Sequence, residues 1–174
     1  RVFVGPAVAW EITFLEHYQS FGFATGSPEH KGYAEELEAT QASVKRMREA
    51  GIRVLVGGDY GLNITPHGTY AKELQYFTDY FGFSPGEALQ AATKHGGEAF
   101  MPDGSLGTLE AGKIADMVIV KGNPLEQIGV LQDADAIAAV IKEGQIYAGL
   151  LDSQSPHQKN AEQLNQLLGA RPCN

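Results

Sequence analysis

Val54-Leu55-Val56 is an unbroken apolar triplet, and it runs straight into Gly57-Gly58-Asp59. Apolar residues that do not alternate with polar ones read as a parallel strand covered on both faces, since a sheet with one wet face would alternate. Gly57 and Gly58 allow the backbone to leave such a sheet without a Cβ in the way. Asp59 therefore stands where a strand ends. The residues ahead of it fit the same unit. Tyr33 to Ala50 reads as an amphipathic helix with Leu37, Val44 and Met47 inward, acids in its first half and Lys45-Arg46-Arg48 near its end, matching the helix dipole. Gly51 closes it as a C-cap, and a strand over 52–57 follows. A helix folded back on a parallel strand is a β/α unit, and in a β/α barrel the carboxyl ends of the strands carry the chemistry. Asp59 is thus a candidate metal ligand or proton carrier. An isolated Gly-Gly-Asp also serves as an ordinary turn, so the residue type alone leaves both roles open.

Taken in order, Val2-Phe3-Val4 reads as a strand stopped by Gly5-Pro6, and 7–20 carries apolar residues at helical spacing. The stretch 21–32 holds Gly22, Gly26, Pro28 and Gly32, a density of breakers that predicts a loop, with His30 as a solvated loop residue. After Asp59 a loop leads into a helix over 69–81 with Tyr70, Leu74, Phe77 and Phe81 as one apolar stripe. His67, between Pro66 and Gly68, places an imidazole where it could hydrogen-bond a bound carboxylate or carbonyl, or simply hold a turn. Ser84-Pro85-Gly86-Glu87 is a capping box with proline at the first helical position, which gives Ser84 a structural task and no chemistry. Ala88, Leu89, Ala91 and Ala92 form a small-residue packing face, and His95 is expected near the end of that helix as a dipole partner. Trp10, Tyr60 and the Phe21/Phe23 pair could wall a pocket, though such residues are more often core. From Gly104 the period changes to that of strands. Thr108-Leu109 with 116–120 reads as one hairpin around Glu110-Ala111-Gly112-Lys113, and 136–141 with 145–148 as a second. Pro156 to Leu168 reads as a polar helical tail.

At 174 residues the chain can bury a core, yet it is short for a whole barrel of about 200 to 250 residues. It opens on Arg1-Val2-Phe3-Val4, with no basic leader and no long apolar segment, which reads as a start inside a strand and part of something larger. Thirteen basic against 21 acidic side chains give a net charge of -8, which opposes nucleic acid or anionic lipid as a partner. No stretch approaches the roughly 20 apolar residues of a membrane span. The single Cys173 cannot form an internal disulfide, so nothing demands an oxidising compartment and a cytoplasmic location is expected.

Three further stretches belong together: Asn63-Ile64-Thr65-Pro66-His67-Gly68 leading to Glu73-Leu74, then 84–93, then Gly104-Ser105-Leu106-Gly107-Thr108-Leu109-Glu110-Ala111-Gly112-Lys113-Ile114-Ala115-Asp116 followed by Met117-Val118-Ile119-Val120. In this order, over roughly 50–149, they resemble the closing third of the amidohydrolase superfamily, especially its imidazolonepropionase-like branch. The resemblance implies an α/β fold: the last strands and helices of a (β/α)8 TIM-like metal-dependent hydrolase barrel, plus part of a small β-sandwich. On that basis 1–103 is the C-terminal part of the barrel, 104–149 a sandwich segment and 150–174 a helical tail.

The resemblance also implies a divalent metal, zinc first, with one or two ions and Mn, Co or Fe as alternatives. Ligands in such enzymes look like a His-x-His pair, a mid-barrel carboxylated Lys or Glu, two further His and an Asp on the last strand. Only that Asp has a counterpart here. Asp59 would bind metal and accept the proton of the hydrolytic water, with His67, Tyr60 and Asn63 as substrate-binding candidates. One carboxylate cannot hold a catalytic zinc, which usually takes three protein ligands. The leading expectation is therefore an enzyme that hydrolyses an amide-type C–N bond in a small-molecule substrate (cyclic amide, peptide or N-acyl compound, urea or carbamate-like) only together with a second chain or missing segment carrying the N-terminal barrel half. The complete unit is expected to be a homo-oligomer. The rival from another class is a non-catalytic binding or structural remnant that kept the sandwich and lost the metal site.

Overall fold

The computed structural model describes residues 2–149, so the expected tail helix over 156–168 lies outside the described residues. Strands β1 (Phe3–Val4) and β2 (Arg53–Val54) pair in parallel, with Phe3 opposite Arg53 and Val4 opposite Val54. The Leu55 amide carries the ladder one step further by donating to the Val4 carbonyl at 2.8 Å. β2 is shorter than the apolar run 52–57 predicts, because its described partner breaks at Gly5-Pro6 and proline has no amide to offer a ladder.

Between these strands lie α1 (Ala9–His17) and α2 (Pro28–Glu49). α1 is narrower than the expected 7–20: Ala7 takes a φ of 52°, outside the helical region, and the chain tightens into a 3₁₀ turn over Tyr18–Phe21 before Gly22. α2 begins five residues before the expected Tyr33. Ser27 caps it, its Oγ accepting from the His30 amide at 3.2 Å, and Pro28 occupies the first turn. The loop expected over 21–32 is therefore half helix, and His30 packs edge-on against Tyr18 at 4.3 Å between ring centroids. Phe14 gathers Phe21, Phe23 and Tyr33 at 5.7, 5.5 and 4.0 Å, and the Trp10 indole donates to the Tyr33 hydroxyl at 3.2 Å. Of the aromatic residues considered as a pocket wall, Trp10 and Phe23 pack between α1 and α2 instead, whereas Phe21 and Tyr60 do line a cavity.

α3 (Lys72–Tyr80) lies against α1, and Val8, Ile12, Val44, Leu74 and Phe77 meet in one buried core. Tyr70 is 51% exposed, so the inward stripe begins at Leu74, and Glu73 beside it is buried at 1% exposure. The Ser84–Glu87 capping box forms as expected at the start of α4 (Pro85–Gln90). α4 passes through a π turn (Ala91–His95) into α5 (Gly96–Phe100). His95 is consequently mid-helix rather than terminal, near Glu98 of α5 and Arg53 at the start of β2, and Ala92 is exposed rather than packed.

The second sheet is antiparallel, in the order β3 (Met117–Val120), β4 (Ile137–Lys142) and β5 (Gln145–Gly149). The β4–β5 hairpin matches the sequence expectation, with Lys142 opposite Gln145. The hairpin expected over 108–120 does not form. Thr108-Leu109 is not a strand, and Met117 pairs with Ile141 instead. The segment before β3 is held elsewhere: the Ile114 amide donates to the Ser105 carbonyl at 2.9 Å, and Asp116 accepts the Glu143 amide at 2.7 Å, tying the entry of β3 to the β4–β5 turn. Among the described residues, no helix is long and apolar enough to cross a membrane.

Candidate active site

β1 and β2 are parallel, so their carboxyl ends emerge on the same side, and a Cβ built on Gly5 would lie 4.0 Å from the Gly57 carbonyl. Asp59 follows at that end and is exposed. Its main chain is pinned: the Thr65 hydroxyl, on a residue only 2% exposed, donates to the Asp59 carbonyl at 2.7 Å, and the Gly61 amide returns to the Thr65 carbonyl at 2.9 Å. Its carboxylate has no hydrogen bond or ion pair among the described residues. Position is thus fixed through the backbone while both carboxylate oxygens stay available.

The other three candidates share the loop that follows but not one surface. His67 is exposed, its Nδ1 is 2.7 Å from the Tyr70 hydroxyl, and its ring occupies the space a side chain on Gly61 would need, with Nε2 3.0 Å from a Cβ built there. Gly61 has a φ of 109°, which excludes most other residues as well. Tyr60 and Asn63 line a cavity of about 450 Å³ between α1 and the 60–69 loop, together with Thr13, Thr65, Lys72 and Tyr76. That cavity does not include Asp59 or His67, so it is a side chamber of the loop rather than the strand-end site. Lys72 in its wall is already paired with Glu16 at 2.8 Å.

Sequence reasoning did not single out Glu73. This carboxyl group, carried by the first turn of α3, reaches under the strand end, where its Oε2 would lie 3.1 Å from a Cβ built on Gly58. Burial raises its pKa from 4.5 to about 7, against the opposing pull of the Gly58 amide, the Tyr60 hydroxyl and the Gly57 amide. Burial, and then the charge of Glu73, push the Tyr60 hydroxyl upward as well. These contacts are loosely aligned: Glu73 Oε1 and the Tyr60 hydroxyl oxygen are both buried without a well-formed hydrogen bond. The sequence signal was the pair Gly57-Gly58, whose missing side chains leave room for an approaching group.

A pH dependence follows. The folded pKa lies above the unfolded one, so between about pH 4.5 and 7 the unfolded state gives up the proton that the fold retains. The contribution to stability is full below pH 4.5 and declines as pH rises through 7. Its size is on the order of 3 kcal/mol at most. Denaturant unfolding of the full-length protein from pH 4.5 to 8 should show that, relative to Glu73→Gln, the parent loses stability across this window; parallel curves would refute it.

A metal centre cannot be completed from these residues: among the described residues no three His, Cys, Asp or Glu side chains converge to hold an ion. An exposed carboxylate with free oxygens fits one ligand position and no more.

The sequence model of the amidohydrolase family matches residues 16–147. The chain belongs to this family, in its imidazolonepropionase-like branch. It is 35% identical over 114 residues to an ochratoxinase of Aspergillus niger, covering 65% of this chain and 22% of that protein. It is 31% identical over 110 residues to an imidazolonepropionase of Symbiobacterium thermophilum, covering 63% of this chain and 26% of that one. The crystal structure of the A. niger ochratoxinase superposes with a TM-score of 0.67 at 26% identity, over 84% of this chain and 32% of that chain. A putative prolidase from Bifidobacterium longum superposes with a TM-score of 0.71 over 97% of this chain and 40% of that one; at 24% identity this likeness concerns the fold alone. The chain spans about a quarter of the length of the curated relatives it matches.

Proposed function

We propose that this chain supplies the last strand-end carboxylate and the adjoining substrate-facing loop of a metal-dependent amidohydrolase that cleaves an amide-type C–N bond. β1 and β2 are read as the closing strands of a (β/α)8 barrel over 1–103, and β3 to β5 as its share of a small β-sandwich over 104–149. The remaining strands and metal ligands come from a segment or chain outside the described residues. The observation that carries this reading is the exposed Asp59 carboxylate, without a partner among the described residues and held through its backbone beyond the carboxyl end of a parallel strand.

A divalent ion, zinc first, would supply Lewis acidity and lower the pKa of water from about 16 to about 7. Asp59 would hold one of its positions, take the proton from the attacking water on one carboxylate oxygen and deliver it to the departing nitrogen. Tyr60 and Asn63 face the chamber beside the loop, while His67, with Nδ1 engaged by Tyr70, has Nε2 left for the substrate. The substrate class is taken to be a cyclic amide, dipeptide or N-acyl amino acid, a reading supported by the relatives named as ochratoxinase and imidazolonepropionase.

The test is hydrolysis of such a panel by the full-length protein with zinc, manganese or cobalt, before and after a chelator. Metal-dependent turnover supports the proposal, and its absence with every ion favours the non-catalytic remnant. Within an active enzyme, His67→Ala should raise KM or lower kcat by about tenfold at unchanged metal content, because the lost contact is to substrate. Loss of metal would make His67 a ligand, and parent-like kinetics would make it a turn residue.

A further inference from the structure

The two residues that flank Asp59 in the chain, Gly58 and Tyr60, both touch one buried side chain, that of Glu73. Building upon the proposed function, we infer that Glu73 is the positioning residue for Asp59: its carboxyl group, inserted beneath the strand end from α3, sets the backbone on both sides of the catalytic carboxylate. The geometry is tight. A Cβ on Gly58 would meet the Tyr60 ring at 2.6 Å, Ala9 at 3.1 Å and Glu73 Oε2 at 3.1 Å, so only glycine lets the carboxyl group and the tyrosine close on this segment together. Thr65 completes the frame from the far side through its bond to the Asp59 carbonyl. Asp59 is therefore held by a glutamate below, a threonine beside it and a strand ahead, with its own carboxylate uncommitted.

The fold itself gives no reason for an acid here. Glu73 is buried in α3, the helix that also gives Leu74 and Phe77 to the core, and an apolar side chain of similar volume would bury there at lower cost than a carboxyl group with one oxygen unsatisfied. Buried polar atoms lacking partners are rare in folded proteins and mark places where stability has yielded to function. Glu73 Oε1 and the Tyr60 hydroxyl are two such atoms, both at the strand end that carries Asp59, while Glu11 Oε2 and His95 Nδ1 are others elsewhere among the described residues. Catalytic geometry tolerates little drift, a misplacement of about 1 Å costing on the order of 100-fold in rate.

The experiment compares Glu73→Leu and Glu73→Gln with the parent in the full-length, metal-loaded enzyme, on its best substrate from the panel above. For Glu73→Leu we expect a melting temperature at pH 7.5 equal to or above that of the parent, bound metal within twofold, KM within threefold, and kcat per bound metal at least tenfold lower. Glu73→Gln, which keeps one acceptor oxygen, should recover part of that kcat. A purely structural glutamate would show the reverse, lower stability with unchanged kcat per bound metal, and kcat within threefold of the parent in Glu73→Leu overturns the inference. If Glu73→Leu fails to fold, the same threefold criterion is applied to Glu73→Gln. Asp59→Asn, measured alongside, separates the two levels: if it remains active, the strand-end site and this inference both fall, whereas loss of activity there with a parent-like Glu73→Leu removes only the positioning role.

Discussion

Replacing Asp59 with Asn should lower hydrolysis by the full-length enzyme at least 100-fold and leave its folding almost unchanged. Asn has the shape of Asp but neither its charge nor its capacity to take a proton, so a residue that carries the proton from water to the leaving nitrogen loses that function outright; general acid–base work is worth about 10² to 10⁴ in rate. Stability should shift little, because the Asp59 side chain is exposed and makes no bond among the described residues, while the contact that holds the residue in place, Thr65 Oγ1 to the main-chain carbonyl at 2.7 Å, survives the substitution. Metal content should fall in part, since one of several ligands is weakened. Steady-state kinetics with metal analysis on the same sample would show this, and activity within threefold of the parent would remove Asp59 from the proton-transfer role.

The position of Asp59 beyond a strand was legible because it is written locally: an apolar run, two glycines and an acid in consecutive positions describe a strand end without knowledge of the rest. The Ser84–Glu87 capping box was legible for the same reason, both of its bonds lying within four residues. The start of α2 was misplaced because Gly26 and Gly32 read as loop, although Ser27-Pro28 is itself an N-terminus signal and Gly32 sits inside the helix it opens. Glu73 and the partner of β3 were out of reach for a different reason. Glu73 is one residue from Leu74 in a helix whose inward stripe is satisfied without it, and it is residues of another segment, Gly57, Gly58 and Tyr60, that approach its carboxyl group. Likewise Met117 finds Ile141, 24 residues on, rather than the nearer Thr108-Leu109 that a local pattern favours. Long-range pairing and burial by a neighbouring element leave no trace in the spacing of a single segment, and the candidate site depends on both.

The adjacent glycines of α5 should respond to substitution with opposite signs. Gly97→Val should destabilise the protein by about 4 kcal/mol or more, at the upper end for a single substitution. A Cβ at Gly97 would stand 2.5 Å from the Leu106 carbonyl oxygen and 2.7 Å from the Gly107 Cα, which are backbone atoms with no rotamer to change. Nor can the 104–107 loop retreat alone, because Gly107, at a φ of 97°, is itself pressed against α5 and the preceding turn, with its own Cβ position 2.6 Å from the Thr93 carbonyl. Valine adds two methyl groups to this clash, and its β-branched side chain has little χ1 freedom with which to turn away from it. Gly96 is one residue away but points elsewhere: its φ of -60° and ψ of -45° are helical, and the nearest atom to a Cβ there is the Ala91 carbonyl at 3.8 Å, an ordinary contact. Gly96→Ala should therefore stabilise the protein by about 0.5 to 1 kcal/mol, chiefly by restricting the unfolded chain. Chemical denaturation of the two variants beside the parent checks the pair. Equal effects of the same sign would show that the crossing of α5 over Leu106-Gly107 is not the contact that joins the last helix to the segment leading into β3.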